Sequence, residues 1–304
     1  MTRARRSARC GAISNRADEP EMPNLIDTLD DLADGYSVIL SDVWGVVHNG
    51  VDPFPDACAA LKRARQNGKI VILITNSPRV RDDVEDQLAA IGVPRDCWDY
   101  LVTSGDVTRD LIADGPRRIF HLGLDRDLSL YDGLDVELVE EQEASGVVCT
   151  GMFDDETETP EDYAEMLQRF RSRDLPFICA NPDIVVERGE KLVWCAGALA
   201  RDYAQLGGRS FVAGKPHQPI YVAALILAAQ ALGRQVKPSD VLAIGDGVMT
   251  DVKGAASNDI DVLFVTAGIH AREYDADGAP DVERLATFLD SHGYAPVASI
   301  PRLR

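Results

Sequence analysis

Five short segments each put a residue capable of chemistry at or just beyond an apolar run: Ser41-Asp42-Val43-Trp44-Gly45-Val46, Ile74-Thr75-Asn76-Ser77, Asn181-Pro182-Asp183, Gly214-Lys215-Pro216 and Gly245-Asp246-Gly247-Val248-Met249-Thr250-Asp251. Asp42 follows Val38-Ile39-Leu40 and precedes a glycine-containing turn, so its carboxylate is expected at a strand end. A carboxylate there can attack phosphorus and split a difficult hydrolysis into two displacements; the competing role is a strand-terminating turn residue. Asp246 and Asp251 flank a glycine-bounded loop after Val241-Leu242-Ala243-Ile244. Paired carboxylates with few other ligands suit Mg²⁺, and the same residues can cap the helix that follows. Thr75 and Asn76 offer a hydroxyl and main-chain N–H groups to phosphoryl oxygens. Lys215 can neutralise charge on a transferring group.

The elements that must position these residues read as an α/β fold with a mostly parallel sheet. Val38-Ile39-Leu40, Val71-Ile72-Leu73 and Val241-Leu242-Ala243-Ile244 are apolar on every position, as strands buried on both faces require. Ligands bind outside the carboxyl ends of such strands, so the tips carrying Asp42, Thr75 and Asp246 are expected to converge. Between them, residues 53–67 and 79–91 read as helices stopped by Gly68 and Gly92. A second cycle of short strands (119–122, 147–149, 177–179) with a helix at 160–173 reads as an inserted domain, after which strands at 211–213, 241–244 and 262–265 and a helix at 219–232 return to the first sheet. The expected division is 22–113 and 208–304 for the core and 114–207 for the insertion, with 1–21 a disordered extension rich in Arg and Ser. Within the insertion, Met152, Phe153, Asp154 and Asp155 follow a strand and are read either as facing the site or as a surface loop.

The 304 residues carry a formal net charge of −19, which argues against a nucleic-acid polymer as partner. An anionic substrate must then rely on local cations, for which Lys215 and a bound metal are the candidates. No apolar run reaches the roughly 20 residues that cross a bilayer. The six cysteines are scattered and form no metal-binding spacing; they read as buried reduced thiols, which suggests a cytoplasmic protein.

Each segment is weak alone, but their order, Asp42, Thr75, Lys215, Asp246, resembles the haloacid dehalogenase (HAD) superfamily from about Met22 to Ile269. Within it the pattern is similar to class IIA, the branch of NagD-like, 4-nitrophenyl and pyridoxal phosphatases. That branch has motifs D-x-D-G, T-N, G-K-P and G-D-x-x-x-x-D, which stand here as Asp42 to Gly45, Thr75-Asn76, Gly214 to Pro216 and Gly245 to Asp251. The Asn181-Pro182-Asp183 triplet also looks like that branch.

The resemblance implies a Rossmann-like core with an inserted α/β cap of the C2 type. By position it makes Asp42 nucleophile and metal ligand, with the Trp44 main-chain carbonyl and Asp246 completing the Mg²⁺ site and Asp251 supporting it. Thr75, Asn76 and Lys215 bind the phosphoryl group. The substrate implied is a small phosphorylated metabolite such as a sugar phosphate or nucleotide, and cap surfaces in similar proteins mediate homodimers. One departure matters. The family's phosphatases carry a second Asp two places after the nucleophile, as general acid and base; here it is Trp44, whose indole cannot serve, and such catalysis is worth about 10² to 10⁴ in rate. His48, just beyond Trp44, is a candidate substitute acid. The alternative is a phosphometabolite-binding or regulatory protein with little turnover.

Overall fold

The all-apolar runs become the centre of a parallel sheet covered on both faces. In the computed structural model, which describes residues 22–189, 191–276 and 279–304, six strands run in the spatial order Ala298–Ile300, Asp261–Val265, Val241–Gly245, Val38–Asp42, Ile70–Thr75, Tyr100–Thr103. Every pairing among them is parallel. Alternate residues pack on opposite sides: Ile39, Leu73 and Ile244 meet Leu61 and Leu88 of the helices Pro55–Gln66 and Arg81–Ile91, while Leu40, Ile72 and Ala243 meet Ile220, Tyr221 and Ala224 of the helix Gln218–Leu232. The period of two along each strand therefore feeds two separate apolar layers.

The chain starts this sheet at Val38–Asp42, builds outward through Ile70–Thr75 and Tyr100–Thr103, then returns to the other side through Val241–Gly245. The reversal makes Val38–Asp42 and Val241–Gly245 neighbours, with Ser41 opposite Ile244. A crevice opens at such a switch point, and Asp42 and Asp246 stand at its two lips.

A second parallel sheet runs Ser210–Val212, Phe177–Cys179, Gly146–Cys149, Arg118–Leu122, Glu137–Leu138. Its core joins Leu122, Val147 and Phe177 to Leu167, Phe170 and Tyr203 of the helices Ala164–Ser172 and Ala196–Gln205. Here the strand expected at 211–213 is corrected: it does not return to the first sheet but pairs with Phe177–Cys179, Phe211 opposite Ile178. A three-residue strand carries too little pattern to choose its sheet; pairing partners decide. The helix expected at 160–173 begins instead as a tight turn, Pro160–Tyr163, because Thr159 and Asp162 form a capping box there. An antiparallel hairpin, Val185–Arg188 with Lys191–Trp194, is an element the sequence reading missed. Its signal was present in the β-branched Val185-Val186 and Leu192-Val193-Trp194 around Gly189.

The proposed disordered extension, 1–21, lies outside the described residues. The five cysteines that are described are buried free thiols. No helix among the described residues is long and apolar enough to cross a membrane.

Candidate active site

The strand tips converge as the parallel topology requires. Carboxylate oxygens of Asp42, Asp246 and Asp251 lie within 4.8 Å of one another. Lys215 enters from the loop after Val212, its Nζ 2.6 Å from Asp42 Oδ1 and 2.7 Å from Asp251 Oδ1, and it is only 2% exposed. Asp42 Oδ1 also accepts from its neighbour's N–H, Val43, at 2.7 Å, which fixes the carboxylate at the strand end. Asp246 Oδ2 accepts from Ile269 N–H at 2.9 Å. Asp251 Oδ2 accepts from Gly247 N–H at 3.1 Å, so the capping and site roles read for it coexist. It sits in a widened π-type turn, Val248–Val252, ahead of the helix Lys253–Ser257, a distortion frequent at functional sites.

Close approach of these carboxylates explains a glycine. Gly45 has φ +82°, and a Cβ there would fall 2.2 Å from Asp246 Oδ2. Any larger residue collides with the cluster.

Three carboxylates against one ammonium leave two formal negative charges in a buried place. Burial, then Asp251, push Asp42 well above the ordinary aspartate range even though Lys215 opposes them. Burial and Asp251 likewise push Asp246 up to about 7. Burial works against the Lys215 charge, but Asp251, Asp42 and Asp183 outweigh it and hold its proton beyond the usual lysine range. The deficit equals the charge of one divalent cation, and the all-oxygen donor set is what Mg²⁺ takes; the residues present fit that ion.

Thr75 is buried at its strand end, and its Oγ1 accepts from Ser77 N–H at 3.2 Å. The Asn76 side chain is engaged within the protein. Its Oδ1 accepts from Lys215 N–H at 2.7 Å, and its Nδ2 donates to Asp183 Oδ1 at 2.8 Å and to the Lys215 carbonyl at 3.1 Å. Both side-chain amide protons are used, so the side chain holds Lys215 and Asp183 in place and leaves a phosphoryl oxygen only the main-chain N–H. Asp183 was quoted in its triplet without a role; the fold brings it into the site.

A small cavity of about 60 Å³ is lined by Asp42, Trp44, Thr75, Asp183 and Asp246 and is roofed by Val185, Val186 and Glu187 of the hairpin. A larger one of about 350 Å³ shares Trp44, Thr75, Asp183 and Val186 with it and extends between the two sheets to Arg79, Arg126, Asp127, Thr150 and Arg188. Met152 and Asp155 line this larger cavity, whereas Phe153 and Asp154 are exposed and line neither. The four-residue segment thus divides between the two readings given to it.

Trp44 is a latch between the two units. Its indole Nε1 donates to the main-chain carbonyl of Glu187 in the hairpin, and its ring meets His48 edge-on at 5.0 Å. His48, read as a candidate substitute acid, is set back from the site. It is 2% exposed, lines neither cavity, accepts from Gly50 N–H at 2.8 Å through Nδ1, and burial pushes it down to about 4. Its position in a turn suggested exposure, but that turn folds back on itself, with His48 bridging Trp44 and Pro53. Burial, opposed by Lys215 and Asn76, raises the carboxyl of Asp183.

These features match known proteins. The haloacid dehalogenase-like hydrolase family profile covers residues 39–137, and a second profile, HAD-hydrolase-like, covers 212–290. The crystal structure of a hydrolase of the haloacid dehalogenase-like family from Brucella suis 1330 is 59% identical, superposes with a TM-score of 0.84, and covers 92% of this chain and 100% of its own. The 5'-nucleotidase YutF of Bacillus subtilis (strain 168) is 26% identical over 268 residues, 84% of this chain and 96% of that protein. A 4-nitrophenylphosphatase of Schizosaccharomyces pombe is 25% identical over 290 residues, 85% of this chain and 95% of that protein. The chain belongs to the haloacid dehalogenase-like hydrolases, and its relatives place it with class IIA.

Proposed function

We propose that the protein is a Mg²⁺-dependent phosphatase of a small phosphorylated metabolite, acting through an aspartyl-phosphate on Asp42. The observation that carries this reading is the meeting of Asp42, Asp246, Asp251 and Lys215, drawn from three distant parts of the chain, in one buried cluster. The names of the relatives, a 5'-nucleotidase and a 4-nitrophenylphosphatase, support a phosphate ester as substrate.

In this reading the six-stranded unit is the core, and the five-stranded unit, residues 114–207 together with the strand Ser210–Val212, is a cap whose hairpin closes the site. Asp42, Asp246 and the Trp44 carbonyl hold Mg²⁺, which when bound offsets the charge of the carboxylates and the phosphoryl oxygens. Asp251 sets the position of Lys215, and Lys215 Nζ with Thr75 Oγ1 binds the phosphoryl group. An Asp42 carboxylate oxygen attacks phosphorus while the bond to the ester oxygen breaks. Water then attacks the phosphorus of the acyl phosphate, releasing phosphate and restoring Asp42. Asn76 is a positioning residue for Lys215 and Asp183.

The departing oxygen needs a proton that Trp44 cannot give. Asp183 is the carboxylate shared by the phosphoryl cavity and the larger cavity, so it stands where the ester oxygen leaves; we assign it as the proton donor. The test is release of 4-nitrophenol from 4-nitrophenyl phosphate with and without Mg²⁺, in the native protein and in Asp42→Asn. Activity that needs the metal and disappears in the variant supports the reading. A protein that binds phosphate esters but hydrolyses neither aryl, acyl nor alkyl esters is a binding or regulatory protein instead.

A further inference from the structure

We propose that the ring of Trp44 is a specificity-determining wall: it narrows the neck between the two cavities, so that the site takes phosphate esters of primary alcohols and turns away those of secondary alcohols. This rests on the phosphatase reading above and adds a substrate class to it.

Among the described residues, four line both the small cavity and the larger one, and so surround the passage between them: Trp44, Thr75, Asp183 and Val186. Thr75 and Asp183 have polar work in the reaction; Trp44 and Val186 are the bulky apolar pair. The small cavity, about 60 Å³, has the volume of about two waters at roughly 30 Å³ each. A phosphoryl group fills it. The carbon bonded to the ester oxygen therefore lies in the neck, against Trp44 and Val186.

Neither side of this neck is free to yield. Trp44 Nε1 donates to the Glu187 carbonyl, its ring meets His48 edge-on, and behind it lies Gly50, where any side chain would collide with the indole Cζ2. Gly50 lines the larger cavity beside Trp44, so the half-buried ring, and not its main chain alone, reaches that wall. Val186 stands opposite Val193 in the hairpin, and two residues on, Arg188 ties the same strand to Asp155 and Glu156, each at 2.7 Å. A primary carbon brings only hydrogens to the neck. A second carbon on that atom must displace walls that packed neighbours hold, and overfilling packed space is destabilising just as emptying it is. Where the family's phosphatases carry an acid, this chain has a side chain that supplies shape.

The experiment compares kcat/KM for 1-propyl phosphate and 2-propyl phosphate, with Mg²⁺ present, in the native protein, Trp44→Phe and Trp44→Ala, with 4-nitrophenyl phosphate measured alongside. The two propyl esters share composition, charge and nearly the same leaving-group acidity, so their ratio cancels metal binding, phosphoryl binding, proton donation and the fraction of protein that folds. One carbon in an apolar pocket is worth about 10- to 200-fold, so the native protein is expected to favour the 1-propyl ester at least about tenfold. Trp44→Ala is expected to bring the ratio within about threefold. Trp44→Phe keeps a ring but loses the hydrogen bond to Glu187, and is expected to keep most of the preference. Equal rates in the native protein, or a preference that survives in Trp44→Ala, overturn the proposal; so does a Trp44→Phe ratio as low as that of Trp44→Ala, which would make the bond to the hairpin, not the ring, the cause. If 4-nitrophenyl phosphate is hydrolysed while the propyl ratio is flat, the neck is wrong and the phosphatase reading stands. If no ester is hydrolysed, that reading fails. Wherever the propyl esters are not turned over, their calorimetric binding decides the neck: about tenfold tighter binding of the 1-propyl ester that disappears in Trp44→Ala supports it, and equal affinity overturns it.

Discussion

Replacing Lys215 by methionine removes one charge from the cluster with little change of length. Lys215 Nζ bonds Asp42 Oδ1 at 2.6 Å and Asp251 Oδ1 at 2.7 Å in an environment that leaves the lysine 2% exposed. Removing one partner of a buried ion pair costs about 3–5 kcal/mol, because the other charge is left without compensation. Here two carboxylates lose the same ammonium, so the upper end of that range is expected in metal-free protein at pH 8. The cost depends on pH. Burial already pushes Asp246 up to about 7 and Asp42 upward; without the ammonium the carboxyls take up protons more readily still, and a protonated cluster needs no counter-charge. The deficit should therefore shrink as pH falls to 5. Urea unfolding of native and Lys215→Met protein at pH 5 and pH 8, in chelator, measures it through the transition midpoint. A loss under about 1 kcal/mol at pH 8, or one equal at both pH values, would refute the picture of a lysine held by charge.

Asp183→Asn should slow alkyl phosphates about 10²-fold or more while slowing 4-nitrophenyl phosphate far less, since nitrophenolate leaves without protonation; parallel losses in steady-state kinetics would mean that Asp183 only positions other groups. Gly45→Ala places a Cβ 2.2 Å from Asp246 Oδ2 at φ +82° and should weaken Mg²⁺ binding by tenfold or more, with about 1–3 kcal/mol of backbone strain; calorimetric titration of the metal checks it. Metal affinity should rise with pH up to about 7, because Asp246 must release its proton to bind. Over the same range metal-free protein should lose stability, since a carboxyl raised above its ordinary 3.8 binds more protons folded than unfolded between those values. Thermal melts across pH 4–8, with and without Mg²⁺, test both signs.

The sequence alone pointed to the strands that end at Asp42, at Thr75 and just before Asp246, because short β-branched runs apolar on both faces suit covered parallel strands, and polar residues following them lie at the sheet's carboxyl end. The order of those ends was enough to recognise the family. Tertiary structure decided what had no local periodicity. Ser210–Val212 is too short to state its sheet, and pairing with Phe177–Cys179 settled it. His48 in a turn and Asn76 at a strand tip looked available for catalysis, yet one is buried beneath Trp44 and the other is bonded to Lys215 and Asp183, contacts spanning 139 and 107 residues for Asn76. A strand's burial follows from its own side chains, whereas the work left for a polar group depends on which neighbours the fold has already given it.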